Sequence, residues 1–247
     1  MDGKNLRGTI RGQAFRMGAN LCQVADLTNV EDYIAAEYGE FCAQFPRAVS
    51  IAIYFPREII QQQLEGPTRP YDYFYNVINR QLDAVGLTIS DMLQNAGYRA
   101  YPIPASDFRQ TDRAERMQYR VMAESVEKLP HTTVELCGMF SHRLAANLAG
   151  IGWIGKSCSI INPDVGPRLR LTTVLTDAPL EPDKPIANRC GSCARCRDAC
   201  PSGALSGTAF AYGQPIEERL NRDRCRSHLS KIQSVFGQGT CALCLVR

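Results

Sequence analysis

The sequence predicts an α/β (α+β) domain followed by a small cysteine-rich module. Three observations carry this reading. Strand-like and helix-like patterns alternate through most of the chain. A proline-rich stretch, Asp177 to Asn188, then interrupts them with Pro179, Pro182 and Pro185. Beyond it stand seven of the 11 cysteines of the 247-residue chain, all from Cys190 onward. The boundary is placed in the proline stretch, giving a domain over residues 1–180 and a module over 181–247.

The elements follow in order. Ala48-Val49-Ser50-Ile51-Ala52-Ile53-Tyr54-Phe55 is a β-rich run closed by Pro56 and reads as a buried strand. From Tyr73 to Ala96, Ile78, Leu82, Val85, Ile89 and Met92 recur in steps of three and four, one helix face, with Gly97 as the stop. Tyr98 to Ile103 resumes an extended pattern, and Ala114 to Lys128 reads as a helix closed by Pro130. His142 to Leu148 is a short helix ending in a glycine-rich turn. Cys158 to Ile161 looks extended, and Arg168 to Thr176 alternates like a strand. Three closely spaced prolines deny regular structure to the stretch after it and suit a linker.

Composition narrows the classes. With 45% hydrophobic and 21% charged residues the chain has an ordinary globular balance. A net charge of +3 does not by itself mark a nucleic-acid binder. No apolar run reaches the ~20 residues that span a bilayer. Met1-Asp2-Gly3-Lys4-Asn5 has no apolar segment behind it, so no signal peptide is expected and the cytoplasm is the expected compartment. In that reducing compartment clustered thiols point to metal rather than to disulfides.

Cys190, Cys193, Cys196 and Cys200, followed by Pro201, spell C-x2-C-x2-C-x3-C-P. This is the bacterial ferredoxin run, in which three thiolates hold one [4Fe–4S] cube and the fourth serves a second cube. Cys225, Cys241 and Cys244 are the partners that would complete that second cube with Cys200. Zinc is the competing reading, but zinc modules prefer two separated C-x2-C pairs or Cys/His mixtures. The first set has three thiolates, and a fourth would fall beyond Arg247. A longer chain, another group, or an iron open to solvent would each account for it.

Gly150, Gly152 and Gly155 satisfy G-x-G-x-x-G. A dinucleotide site needs a strand before that run and a helix after it. Here a helix precedes and an extended segment follows, so the spelling is not read as a nicotinamide site.

Leu148 to Lys156, then Leu175-Thr176-Asp177, then Cys190-Gly191 through Ala204 together resemble epoxyqueuosine reductase and its relatives, most specifically from about His142 to Leu205. Gly18-Ala19-Asn20 with Val24-Ala25-Asp26 looks like the opening strand of that family. The resemblance implies a corrinoid, cobalamin, in a nitroreductase-like α/β domain beside a ferredoxin-like module with two [4Fe–4S] clusters, an architecture shared with reductive dehalogenases. Electrons would enter through the clusters and reach cobalt. Two departures qualify the implied chemistry. The proton-donating Asp of the family's V-D-x-x-P stretch falls at Leu136, its proline falls at Met139, and the nearest acid is Glu135. The chain also stops where those reductases continue into a helical-repeat domain that helps hold tRNA.

The candidate catalytic residues are therefore Glu135, as a replacement acid, and Cys137, as a redox-active neighbour of cobalt. For a solvated or ion-paired Glu135 and a small buried Cys137 the bland readings stand beside these. Candidate corrinoid-binding residues are Gly152, Trp153, Ile154, Gly155, Lys156 and His142. Trp153 either packs in the core or stacks on a macrocycle. His142 is either a lower cobalt ligand or a helix residue. Arg219, Arg222, Arg224 and Arg226 crowd Cys225, with Glu217, Glu218 and Asp223 interleaved, which reads as compensation of anionic clusters more than as a docking face. The expected partners are an electron donor such as ferredoxin or flavodoxin and a small-molecule or nucleoside substrate; tRNA ranks below these, and no membrane is involved. The other class left open is an iron–sulfur electron carrier or reductive activator that docks on a partner protein.

Overall fold

A computed structural model describes residues 3–106, 139–237 and 239–246. The expected helix at Ala114 to Lys128 and the candidates Glu135 and Cys137 lie outside the described residues.

The domain is built on a four-stranded sheet. Helix α1 (Gly3–Arg16) leads to β1 (Leu21–Asp26); short α2 (Glu31–Tyr38) and α3 (Glu40–Ala43) precede β2 (Arg47–Tyr54). α4 (Arg57–Gln62) and long α5 (Arg69–Asn95) lead to β3 (Ala100–Ile103), and α6 (His142–Leu148) leads to the hairpin β4 (Trp153–Ile154) and β5 (Ile160–Ile161). β6 (Leu169–Thr176) closes the sheet in the order β1-β2-β6-β3. Every pairing is antiparallel, with Val49 opposite Val174 and Val24 opposite Val49.

Helices cover both faces of this sheet, which is why β2 reads as an apolar run although it pairs antiparallel. Val49, Ile51 and Ile53 face α1 and α5 in a core with Leu6, Ile10, Leu82, Val85 and Ile89. On the other face Ala48 and Leu175 pack with Leu144 and Ala145 of α6, while Ala52 joins Ala146 and Ile151.

The α5 helix begins at Arg69, four residues before the expected Tyr73, because Thr68 caps it and Pro70 occupies its first turn. The Thr68 hydroxyl accepts from the Tyr71 amide at 3.4 Å. Its last fully buried position is Leu93, with Met92 at the margin of the core. Gly86 brings the helix close to β6: a Cβ there would lie 3.3 Å from Thr172 Oγ1.

The proline stretch has no regular structure, as expected, yet it is packed rather than free. Ala178 and Leu180 are buried, and the Asp183 carboxylate accepts from Arg7 at 2.6 Å and from the Val24 amide at 2.9 Å. The remaining chain carries α7 (Arg195–Asp198), α8 (Arg222–Phe236) and α9 (Leu243–Val246). Among the described residues no helix is long and apolar enough to cross a membrane.

Candidate iron–sulfur centre

The glycine run is a packing device. α6 is capped by the Ser141 hydroxyl, which accepts from the Leu144 amide, and ends in a Schellman turn. In that turn Gly150 N–H donates to Asn147 O and Ile151 N–H to Ala146 O, with Gly150 at φ +73°. A Cβ on Gly150 would stand 2.2 Å from the Lys184 carbonyl oxygen, one on Gly152 2.4 Å from that of Ile161, and one on Gly155 2.6 Å from the Ile161 side chain. The letters Gly150 to Ser157 also spell the phosphate-loop pattern G-x-x-x-x-G-K-S. A phosphate loop joins a strand to a helix, whereas this run joins a helix to a hairpin.

That hairpin holds the first cysteine loop. Trp153 is buried, and its indole N–H donates to Cys190 Sγ at 3.4 Å. The Lys156 ammonium donates to the carbonyls of Gly191, at 2.8 Å, and Cys193, at 3.2 Å. The Cys190 amide donates to Asn188, whose own amide reaches Ile154 O. Ile154 itself is buried, and its N–H donates to Asn147 Oδ1. Cys190, Cys193 and Cys196 thus share one loop, close enough for the charges of the first two to act on the third. Burial, ahead of those charges, pushes the Cys196 thiol up.

The second set is assembled from farther apart. Cys225 lies in the first turn of α8, Cys241 just before α9, and Cys244 in its first turn. A clamp distant in sequence brings the last two in: fully buried Gln63 donates to the Cys241 carbonyl at 2.7 Å and accepts from the amide and hydroxyl of Thr68. Thr240 donates to Asp72 at 2.7 Å. Cys200, Cys225, Cys241 and Cys244 then act electrostatically on one another. Burial first, then the neighbouring thiols, pushes Cys244 up to about 12, so metal must displace its proton. Cys200 is the exception. Burial alone would raise its thiol, but the Ser202 hydroxyl and the amides of Ala204, Ser202 and Leu205 together bring it below the ordinary value. The Ala204 N–H···S distance is 3.3 Å.

Among the described residues no three His, Cys, Asp or Glu side chains meet closely enough for a single metal ion. Thiolates around one zinc stand roughly 3.8 Å apart, given Zn–S bonds of about 2.3 Å. On a cube each thiolate binds its own iron and they stand wider.

His142 is placed on α6, and both ring nitrogens are engaged. Nε2 lies 2.8 Å from the Pro104 carbonyl and Nδ1 2.9 Å from Thr173 Oγ1. The carbonyl can only accept, so Nε2 carries the proton and Nδ1 accepts from the threonine. Burial, with the charges of Arg170 and Arg143, brings the ring down to about 4 against the pull of the Pro104 bond. The folded state therefore binds a proton less readily than the unfolded chain. The stability this contributes is complete above about pH 6.5 and is lost as pH falls towards 4, by an amount on the order of 3 kcal/mol. In urea titrations His142→Gln is expected to flatten that slope; parallel slopes in both proteins would show that another group is responsible.

The indole bond makes a second prediction. A donor on a cluster sulfur stabilises the more negative, reduced state. If Cys190 ligates a cluster, Trp153→Phe is expected to lower that cluster's potential by on the order of 40 mV, from about 1 kcal/mol of hydrogen bond, with iron content unchanged. An unmoved potential would deny the bond any role.

The sequence nominates Trp153 and Lys156 for a corrinoid rather than as contacts of the cysteine loop, and it does not single out Gln63, Asn147 or Asp72. No short-range signal marks these residues, because their contacts span up to 178 positions.

No family profile matches the chain. An epoxyqueuosine reductase of Bacillus cereus is 45% identical over 94 residues, covering 37% of this chain and 24% of that protein. A solved epoxyqueuosine reductase bound to an epoxyqueuosine-modified tRNA stem loop superposes with a TM-score of 0.57 at 22% identity, over 98% of this chain and 64% of the other. A reductive dehalogenase described as B12-dependent superposes at 0.60 and 16% identity, over 92% of this chain and 29% of the other. The chain thus resembles both groups in fold while spanning less than two thirds of either. The mixed α/β architecture matches that of epoxyqueuosine reductase structures.

Proposed function

We propose that this chain is an iron–sulfur oxidoreductase, resembling epoxyqueuosine reductase, in which a two-cluster ferredoxin-like module over 181–247 serves a nitroreductase-like domain over 1–180. The observation that supports the reading is a pair of N–H···S contacts, from the Trp153 indole to Cys190 and from the Ala204 amide to Cys200, one on each of the two proposed cysteine sets. Cys190, Cys193 and Cys196 would hold three irons of one cube; Cys200, Cys225, Cys241 and Cys244 would hold the other. Such clusters, when bound, supply one-electron transfer. The protein fixes their spacing through Lys156, Gln63 and Thr240 and sets their electronics through hydrogen bonds to sulfur. Electrons would come from a donor such as ferredoxin or flavodoxin in the cytoplasm. The substrate would be a small molecule or nucleoside, with chemistry altered from the family's because Leu136 stands where the donor Asp is expected.

A corrinoid enters this reading from the relatives alone. The described side chains nominated for it do not fit the task as they stand. Trp153 and Lys156 are turned to the cysteine loop, both nitrogens of His142 are used, and Gly152 and Gly155 are closed by β5. The same observation favours a second reading, an electron carrier or reductive activator docking on a partner. Elemental analysis of anaerobically purified protein, expressed with corrinoid present, separates them. Iron near eight per chain with cobalt near one supports the reductase. Iron without cobalt favours the carrier, and zinc in place of iron ends both.

A further inference from the structure

Among the described residues, the buried Arg219 forms no ion pair. Arg219 is 6% exposed, and its Nε and Nη1 atoms have no hydrogen-bond partner among the described residues. Its backbone is fixed: the carbonyl accepts from the Ser206 amide at 3.1 Å, the amide donates to Ile216 O at 3.0 Å, and Leu220 bridges to Leu205. The guanidinium lies 4.9 Å from the centre of the Phe210 ring. Phe210 stacks edge-on with Tyr212, and Tyr212 with Tyr33. The charges of Arg219 and Arg143 both act on Tyr33 and on Cys158. Arg143 is exposed and donates to the Cys158 carbonyl. Ser157, beside Cys158, is also buried with an unpartnered hydroxyl. The carboxylate that acts on Tyr33 is Glu37, which is exposed.

A guanidinium taken out of water with free donors is costly unless an anion completes it. Its planar fork matches phosphoryl oxygens, and a second guanidinium nearby suits a doubly charged group. From the orphaned Arg219 over Phe210, with Tyr212 and Tyr33 next in the ring chain and Arg143 acting on the same Tyr33, we propose that this corner, between α6, α2 and the segment before α8, binds a terminal phosphate group of a small molecule. Arg219 is the buried member of this group and Tyr212, 47% exposed, the one open to solvent. An internal phosphodiester carries a sugar on both sides and fits a buried fork less well than a monoester does. The inference is independent of any corrinoid and asks only that the chain fold as described.

The test uses the full chain, purified without phosphate, with thermal shift and calorimetry as readouts. The probes are inorganic phosphate, a nucleoside 5′-monophosphate and an RNA stem loop whose ends are unphosphorylated. The wild type is expected to gain several degrees in Tm in millimolar phosphate and to bind the monophosphate at least as well. Arg219→Met should lose at least tenfold in affinity for both, yet melt no lower than the wild type without phosphate, because the orphaned donors are gone. Arg195→Met, an exposed control, should behave as the wild type. Three results would overturn the proposal: no phosphate-dependent rise in the wild type, an equal rise in Arg219→Met, or an Arg219→Met protein that melts markedly lower without phosphate, which would make the arginine structural. Preferential, Arg219-dependent binding of the stem loop over the monophosphate would overturn the small-molecule assignment.

Discussion

Replacing Gly150 with alanine is expected to destabilise the protein by about 3 kcal/mol or more, through two separate costs. The residue sits at φ +73°, where an L side chain costs roughly 1–2 kcal/mol. Its Cβ would also lie 2.2 Å from the Lys184 carbonyl, a backbone atom that no rotamer change can move. Overpacking of this kind costs about 1–3 kcal/mol. At about 2–4 °C per kcal/mol for a chain of this size, Tm should fall by about 10 °C. Gly166→Ala separates the two costs: φ is +61° there and nothing lies within 4 Å of the added Cβ, so only the backbone cost of roughly 1–2 kcal/mol remains. Equal losses in the two variants would show that the approach of the 177–188 segment to the turn contributes nothing. Because Asn188 and the Cys190 loop follow that segment, Gly150→Ala should also weaken iron retention in the first cysteine set.

How much of this was legible follows from the range of each interaction. β2 could be read because burial on both faces leaves a continuous apolar run, β6 because its residues alternate, and α6 because Gly150 marks its stop locally. The antiparallel order β1-β2-β6-β3 could not, since Val49 meets Val174 across a separation that no local pattern encodes. The prolines of 177–188 announced irregular backbone correctly. They were silent on Ala178, Leu180 and Asp183, whose partners lie in the first strand and first helix. In the candidate site the cysteine spacing was informative because a cluster needs its ligands at fixed short intervals. Trp153 and Lys156 looked like cofactor residues because aromatic and cationic side chains beside a glycine turn suit many tasks. In the fold they contact Cys190 and Gly191, which lie 37 and 35 residues away.

The division of thiols makes the largest chemical prediction. If Cys200 belongs with Cys225, Cys241 and Cys244, then Cys200→Ala should remove about four of about eight irons, and adding Cys244→Ala should remove no more, because both changes strike one cluster. Cys190→Ala should remove the other four, and the Cys190→Ala/Cys200→Ala double variant should hold almost none. The reasoning is non-additivity: two ligands of one cube are coupled through it, and ligands of different cubes are not. The alternative is that Cys200 completes the first cube with Cys190, Cys193 and Cys196, its neighbours in sequence. Then Cys190→Ala and Cys200→Ala would remove the same iron, and their combination would lose no more than either. Two features argue for the division across the fold. The charges acting on Cys244 and Cys241 include that of Cys200, whereas those acting on Cys196 come from Cys190 and Cys193. The turn after Cys200 also carries its own donor, the Ala204 amide, whereas the first loop takes its donor from Trp153 in the β4–β5 hairpin. Iron counts on these four variants, with the two clusters' reduction followed by electron paramagnetic resonance, decide between the two assignments.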